Sequence, residues 1–366
     1  MAAKMRIIFV TTVGNFIGYG HLNRCLSLAA HASKSGMSVF FLLFGDSNGP
    51  QIVRDQGYPY AYHQTLNENN INLVETVNNG QEFDAVVIDI IHSHFFSETE
   101  NWEAVLKKIG SLGEIVTIID SLGNLSLAEN LPDNSDVKLH LLVVPYVSPF
   151  SEHRCLRNSQ WRLLIGPEFT VLDPSFSERP SFRKIEKKAQ KILVTCGGSD
   201  LKQLTPRVLQ GLERVTPILE VLVIIGPFFL ESLRKEIQKC CEKSKHEISI
   251  CVEPSTSILF QKMLWSDIAI SSSGLSKYEL AATGTPAVLF SIDEIHHQNN
   301  LHFSKLGSVI DLGTDPSPDT IGDVVGGLLN DFELRTRLSE AGLRLVDGNG
   351  ALRLLSEIRH MTTNYG

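Results

Sequence analysis

Ile17-Gly18-Tyr19-Gly20-His21-Leu22-Asn23-Arg24-Cys25 follows an apolar run over 5–10 and opens an amphipathic stretch over 22–33. The order is strand, glycine-rich turn, helix. In α/β proteins such a turn lies at the carboxyl end of a parallel strand. Its glycines admit close backbone approach, and the helix start offers free N–H groups to an anion. His21 falls in the first turn of the helix, and imidazole can accept and return a proton near neutral pH. The turn thus joins an anion cradle to a base. Its bland alternative is a tight turn whose glycines only permit helix–strand packing, and spacing alone does not separate the two.

The same alternation continues outward. Strand-length apolar runs stand at 6–11, 38–43, 85–89, 115–120 and 139–144, with helical patterns at 20–35, 67–79 and 97–109. A second series has strands at 191–195, 220–225, 247–251, 267–271, 287–291 and 308–312. Its helical patterns lie at 201–215, 229–244, 256–265, 276–283, 294–306, 318–330 and 332–346, and a last one covers 351–361. Continuously apolar strands between amphipathic helices predict parallel sheets buried on both faces. Over 145–190 the pattern fails at Pro145, Pro149, Pro167, Pro174 and Pro180, and a basic polar stretch fills 179–191. This reads as a domain junction. The expectation is α/β, with two Rossmann-like, doubly wound domains facing an interdomain cleft. The domains are 1–165, for acceptor and sugar, and 166–350, for the nucleotide. A C-terminal helix at 351–366 has the option of packing back on the first.

A chain of 366 residues exceeds one ordinary core, which also favours two domains. Hydrophobic residues make up 43% and charged residues 20%, as in a globular protein. A net charge of -8 argues against nucleic acid or a polybasic membrane contact as partner. Met1 to Met5 leads straight into a strand, so no signal peptide is expected, and no apolar run approaches the roughly 18 residues of a membrane span. Cys25, Cys155, Cys196, Cys240, Cys241 and Cys251 form no C-x-x-C pair and read as reduced thiols of a cytoplasmic protein. The Walker pattern and G-x-G-x-x-G are both absent, against ATP hydrolysis and NAD binding.

Two further loops repeat the strand–turn–helix design. Thr195-Cys196-Gly197-Gly198-Ser199-Asp200 offers backbone N–H groups and a hydroxyl to a phosphate, or an N-cap at Ser199 or Asp200. Ser271-Ser272-Ser273-Gly274-Leu275-Ser276-Lys277-Tyr278-Glu279 has capping-box spacing between Ser276 and Glu279. Its sharper reading sets Glu279 against a sugar diol, because a carboxylate accepts from two hydroxyls at once.

At these residues the chain resembles the GT-B enzymes of nucleotide-sugar chemistry. It is similar to the UDP-sugar hydrolases of pseudaminic acid biosynthesis and their spore-coat polysaccharide relatives. More distantly it resembles the lipid II-forming UDP-N-acetylglucosamine transferases. Residues 18–25 match a G-x-G-H-x-x-R-C signature. Leu164-Ile165-Gly166-Pro167-Glu168-Phe169, Gly197-Gly198-Ser199-Asp200, Ser273-Gly274 with Tyr278-Glu279-Leu280-Ala281, and Gln298-Asn299 match further stretches. The resemblance implies His21 as catalytic base, or as the group that stabilises charge at the reacting sugar. It implies Gly197, Gly198, Ser199, Ser273 and Gly274 around a pyrophosphate, with Glu279 on the ribose. Asn15, Gly18, Gly20, Asp89, His297, Gln298 and Asn299 are expected to line the sugar or acceptor pocket. The substrate is a UDP-sugar, with no cofactor and no metal, because helix N-termini supply the positive field. The acceptor is a sugar, a lipid-linked or peptide glycan, or water.

The chain departs from the hydrolases before His21, where 9–16 carries no charge, and at Asp120-Ser121, Ser273 and His296-His297. The uncharged loop favours transfer over hydrolysis. A non-catalytic nucleotide-sugar-binding protein is the third reading, against which His21 argues. Asp89, His92 and His94 have metal-ligand types, but their spacing matches no known geometry. Cys196 beside a helix start reads as a small buried residue ending a strand.

Overall fold

The computed structural model describes residues 4–13, 20–45, 47–66, 82–91, 101–120, 136–147, 161–200 and 202–365. The chain divides into two compact units, Met1–Pro174 with Asn349–Gly366, and Ser175–Gly348. The division falls at Pro174–Ser175, where the sequence reading sets it at 165–166, and the C-terminal helix is counted with the first unit.

The first unit contains β1 (Arg6–Val13), α1 (Gly20–Lys34), β2 (Ser38–Gly45), α2 (Gly49–Asp55), β3 (Tyr60–His63), β4 (Phe83–Ile91), α3 (Trp102–Gly110), β5 (Gly113–Asp120), β6 (Leu141–Val144) and β7 (Arg162–Ile165). Its strands form one parallel sheet in the order β3-β2-β1-β4-β5-β6-β7. The chain runs outward from β1 to β3, then returns to the other side of β1. The sheet therefore has its switch point between β1 and β4, where α/β proteins open a crevice beyond the strand ends. Register sets Thr11 of β1 opposite Asp89 of β4. Beyond Ile88 the pairing of β4 with β5 is irregular, the kind of bulge that re-aims a side chain beside a site.

Helix α1 buries Leu22, Cys25, Leu28, Ala29 and Ala32. Their spacing follows the helical repeat and explains why the segment is helical. The same face also buries His21, Arg24 and His31, which simple amphipathicity does not require. His31 is explained locally, with Nε2 3.2 Å from the carbonyl of Leu172. The unit closes with α11 (Gly350–Tyr365), which lies against α1 and β5. Arg353 donates to the Glu168 carbonyl at 2.9 Å, and Gly350 sits where a Cβ would come within 2.2 Å of the Thr170 carbonyl oxygen.

The second unit contains β8 (Lys191–Thr195), α4 (Leu204–Leu212), β9 (Glu220–Ile225), α5 (Glu231–Lys243), β10 (Glu247–Val252), α6 (Thr256–Trp265), β11 (Ile268–Ser272), α7 (Ser276–Ala282), β12 (Ala287–Phe290), α8 (Glu294–Lys305), β13 (Val309–Asp311), α9 (Pro318–Asn330) and α10 (Phe332–Leu345). Its parallel sheet has the order β10-β9-β8-β11-β12-β13, with the switch point between β8 and β11. Ile192, Val194, Val221, Val223 and Ile270 of the strands meet Val208, Leu212, Ile321, Val325 and Leu328 of the helices in one core.

Of the region expected as a patternless junction, the described residues 161–190 are more ordered than their prolines suggest. Of these, Arg162–Ile165 form β7, a four-residue edge strand on β6. The basic stretch 179–191 belongs to the second unit. Arg183 donates to the carbonyls of Met263 (3.1 Å), Leu264 (3.1 Å), Thr283 (3.0 Å) and Ser266. These are carbonyls that the ends of α6 and α7 leave without helical partners. Arg335, fully buried, donates to the carbonyls of Leu328 (2.7 Å), Leu329 (2.5 Å), Glu186 (2.8 Å) and Lys187 (3.0 Å). Long-range demand for donors, invisible in local pattern, fixes this segment. Among the described residues, no helix is long and apolar enough to cross a membrane.

Candidate active site

In the first unit, the side chains at the switch point converge on Asp89. His21 and Arg24 are three residues apart on α1, so they share a face one turn apart. His21 Nδ1 is 2.7 Å from Asp89 Oδ1, and Arg24 donates to Asp89 from Nε (2.6 Å) and Nη2 (2.6 Å). Thr11 Oγ1 donates to the Asp89 carbonyl at 3.1 Å, and Arg24 Nη1 donates to the Tyr146 hydroxyl. Asp89 is completely buried, and 6% of His21 remains exposed.

Electrostatics fixes the roles. Burial pushes the Asp89 carboxyl up, but Arg24 and then His21 outweigh it and hold the carboxyl below its ordinary value. An ionised carboxylate only accepts hydrogen bonds. The proton of neutral His21 therefore sits on Nδ1, and the Nε2 lone pair points away from Asp89. Arg24 remains a cation, since Asp89 more than offsets the cost of its burial. Burial and then Asp89 push the Cys25 thiol well up, so Cys25 is no nucleophile. Burial raises the Tyr146 phenol too.

Asp89 was expected to line a sugar pocket. With no exposed surface and both oxygens engaged, it lies behind His21 and orients it. Gly20, the first residue of α1, is exposed. Asn15, Gly18, His92 and His94 lie outside the described residues, and among the described residues no cluster of metal-ligating types occurs.

In the second unit, the two expected phosphate loops leave β8 and β11, the strands flanking the switch point. Gly197 takes φ +75°, and a Cβ there would lie 3.6 Å from Ser272 Oγ of the other loop. The Gly198 carbonyl accepts from Phe228 N at 2.9 Å. Gly226 packs so tightly beneath that a Cβ would come within 2.4 Å of Gly198 O and 2.6 Å of Gly197 O. Gln203 holds the N-cap position of α4 with no side-chain cap bond, and Asp200, not Ser199, serves the helix start: its carboxylate accepts from Leu204 N (2.8 Å) and Thr205 N (2.9 Å). The helix start is thereby occupied by a carboxylate. Any phosphate contact falls to the loop of Gly197, Gly198 and Ser199.

At the second loop, Ser273 N–H is taken by the Phe290 carbonyl at 2.9 Å, whereas its buried hydroxyl oxygen has no partner among the described residues. Gly274 has φ +145° with open space around it. Among the described residues, no acceptor takes the N–H groups of Gly274, Leu275, Ser276 and Lys277. They are the donors this loop presents. Leu275 holds the N-cap position of α7 with no side-chain cap, so Ser276 is not the cap of a capping box. Glu279 is buried in the first turn of α7.

The α8 residues divide. His297 Nδ1 lies 2.9 Å from Asp311 Oδ2 on the end of β13, an ion-pair distance without hydrogen-bond geometry. Gln298 is exposed and donates to Glu294 on its own helix at 2.6 Å. Asn299 is partly buried. Cys196 is buried with its thiol pushed up, first by burial and then by Asp200, and ends its strand as a small packing residue.

Sequence reasoning missed four residues at these loops. Arg24 stood in the quoted signature without a role. Tyr146 lies 122 positions from its partner Arg24. Gly226, at the end of β9, carries a weak signal as a glycine-proline pair following an apolar strand. Lys277 read only as a helix residue, yet its ammonium is buried against Asn300 Oδ1 at 3.0 Å.

No family model matches the chain. It is 26% identical over 286 residues to the spore coat polysaccharide biosynthesis protein SpsG of Bacillus subtilis, covering 72% of this chain and 82% of that protein. Among solved structures it is similar to MurG of Acinetobacter baumannii, with TM-score 0.65 at 15% identity over 97% of this chain and 99% of that one. The calicheamicin glycosyltransferase CalG4 gives 0.62 at 13% identity, over 98% of each chain. The UDP-GlcNAc 2-epimerase of Neisseria meningitidis bound to UDP-GlcNAc gives 0.60 at 14%, over 98% of this chain and 100% of that one. Two parallel-sheet units, each with its loops at a switch point and matched nearly end to end by these structures, give this chain the GT-B fold.

Proposed function

We propose that this protein is a cytoplasmic glycosyltransferase that uses a UDP-sugar in the assembly of a surface polysaccharide or glycoconjugate. The observation that carries the reading is the His21–Asp89 pair, with Nδ1 bound to a buried carboxylate and Nε2 left as a base. In the reaction, Nε2 takes the proton of an acceptor hydroxyl as its oxygen bonds to the anomeric carbon. The bond from that carbon to the diphosphate breaks, and its electron pair leaves with UDP. The donors at Gly197, Gly198 and Ser199, with those from Gly274 onward, bind the diphosphate; Glu279 binds the ribose; and His297, Gln298 and Asn299 serve the sugar. Backbone N–H groups supply the positive field, so the transfer needs no metal. Support for the donor class comes from the neighbour bound to UDP-GlcNAc and from the name of the spore coat relative.

The test is UDP release from a panel of UDP-sugars, with and without candidate acceptors. Acceptor-dependent release is expected to survive a chelator and to fall by about 100-fold or more in His21→Ala. Release without acceptor would make water the acceptor and the protein a hydrolase. UDP binding without turnover of any sugar would leave a non-catalytic binding protein. Full turnover in His21→Ala would remove the base assignment.

A further inference from the structure

Arg24 is a buried charged group of the first unit that the proposed chemistry leaves unused. It is fully charged, 6% exposed, and spends three donors on Asp89 and Tyr146. A cation this buried is costly unless its geometry is well satisfied. Its geometry here is a two-pronged clamp: Nε and Nη2 each lie 2.6 Å from a different oxygen of one carboxylate. His21 Nδ1 shares Oδ1 with Arg24 Nη2, and the two nitrogens are 3.5 Å apart.

We propose that Arg24 is a positioning residue of the reaction, which keeps Asp89 an acceptor and so holds the His21 proton on Nδ1 and the lone pair on Nε2. The inference rests on His21 being the base. Its physical core is which way the hydrogen bond between Asp89 and His21 runs. An ionised Asp89 can only accept from Nδ1–H. A protonated Asp89 can donate to Nδ1 instead, which moves the imidazole proton to Nε2 and removes the base.

Burial alone drives Asp89 toward its protonated form, and Arg24 is the leading influence in the other direction. The other titratable groups around it do not replace Arg24. Cys25, on α1, and Tyr146, beyond β6, are both pushed toward their neutral forms by burial. Asp120, at the end of β5, adds only negative charge near Tyr146. His21 is neutral in the state that acts as base. Arg24 is thus the one permanent cation among the described groups around Asp89. Tyr146 completes the clamp by accepting from Nη1, the prong that Asp89 does not use.

Two substitutions separate charge from hydrogen bonding. Arg24→Lys keeps the cation and loses the fork; Arg24→Gln keeps a donor and loses the charge. The resting protein is examined by 15N NMR of the His21 ring, which reads the tautomer whether or not a substrate is known. The wild type and Arg24→Lys are expected to show Nδ1–H, and Arg24→Gln to show Nε2–H at pH 7. In turnover, Arg24→Gln is expected to lose about 100-fold in kcat, with KM within about threefold. Its activity should recover as pH rises and Asp89 ionises. A merely structural arginine would leave the tautomer and the shape of the pH profile unchanged in whatever folded variant is recovered. An Nε2–H tautomer in the wild type, or an unchanged tautomer in folded Arg24→Gln, overturns the inference. If Arg24→Gln does not fold, Arg24→Lys decides: loss of Nδ1–H with the cation retained overturns it too. A correct tautomer in a protein where His21→Ala stays fully active would sink the base assignment and leave the clamp standing.

Discussion

The ammonium of Lys277 donates to Oδ1 of Asn300 at 3.0 Å in the interior of the second unit. Asn300 passes the bond on, donating from Nδ2 to Ser291 Oγ at 2.9 Å. The ammonium also lies 5.5 Å from the Tyr278 ring centroid and 5.6 Å from that of Phe303. This chain ties the first turn of α7, beside the Ser273–Gly274 loop, to α8 and the end of β12.

Burial pushes Lys277 down from 10.5 to about 8, with Asp311 working the other way. Between those values the unfolded chain holds a proton that the folded protein has released. Stability therefore rises with pH across that window, and the penalty for burying the charge is complete below it. Relative to Lys277→Met, the wild type should gain on the order of 2–3 kcal/mol from pH 8 to pH 10.5. Urea denaturation of both proteins at the two pH values measures this. Parallel pH dependence in wild type and variant would show that Lys277 does not titrate there.

Asp89→Ala removes the carboxylate and leaves the Arg24 guanidinium buried without its partner. The first unit should lose about 3–5 kcal/mol of stability, read by denaturant unfolding. Asp89→Asn keeps the shape but offers an amide donor to Nδ1. It should fold with a smaller loss and still drop kcat by about 1,000-fold or more, the effect of a wrong tautomer in other histidine–carboxylate pairs. Retention of turnover in Asp89→Asn would contradict the orientation role.

Asp200→Ala takes the carboxylate from two N–H groups at the start of α4. The expected loss is about 1–2 kcal/mol, with Asp200→Asn recovering only part of it, because its amide has one accepting oxygen for the two N–H groups. Asparagine both caps well and tolerates the left-handed backbone that Asp200 adopts at φ +43°. Thermal melts of the two variants decide it, and equal losses would mean that the cap is not what stabilises.

Gly226→Ala places a methyl group 2.4 Å from the Gly198 carbonyl oxygen unless the loop moves. The atoms met are backbone, which cannot swing aside as a side chain end does. On the proposed nucleotide site, UDP affinity should fall by about tenfold, a loss near 1.4 kcal/mol. Calorimetric titration with UDP measures it. Unchanged affinity would place the diphosphate away from the Gly197–Gly198 turn.

Much of this was legible in the residues. Strand and helix periods, with glycines between them, mark both parallel sheets and the loops at their switch points, because those signals are local. The edge strand β7 and the short α2 escaped, since four to seven residues carry too little periodicity. The stretch 179–191 misled by composition: its arginines read as linker polarity, but Arg183, with Arg335 beyond it, serves carbonyls far along the chain.

For the site, the sequence by itself determined that His21 opens the helix after β1 and that glycine turns follow β8 and β11. Turn chemistry and hydrophobic spacing suffice for that. Only the tertiary structure decided what His21 faces. Asp89 is 68 positions away, and the β1–β4 register, with the irregularity beyond Ile88, brings it under α1. Arg24 looked like an ordinary helical residue until the fold closed around it. Whether a carboxylate lines a pocket or lies buried behind a histidine depends on which groups share its desolvated space, and no local pattern in the chain encodes that.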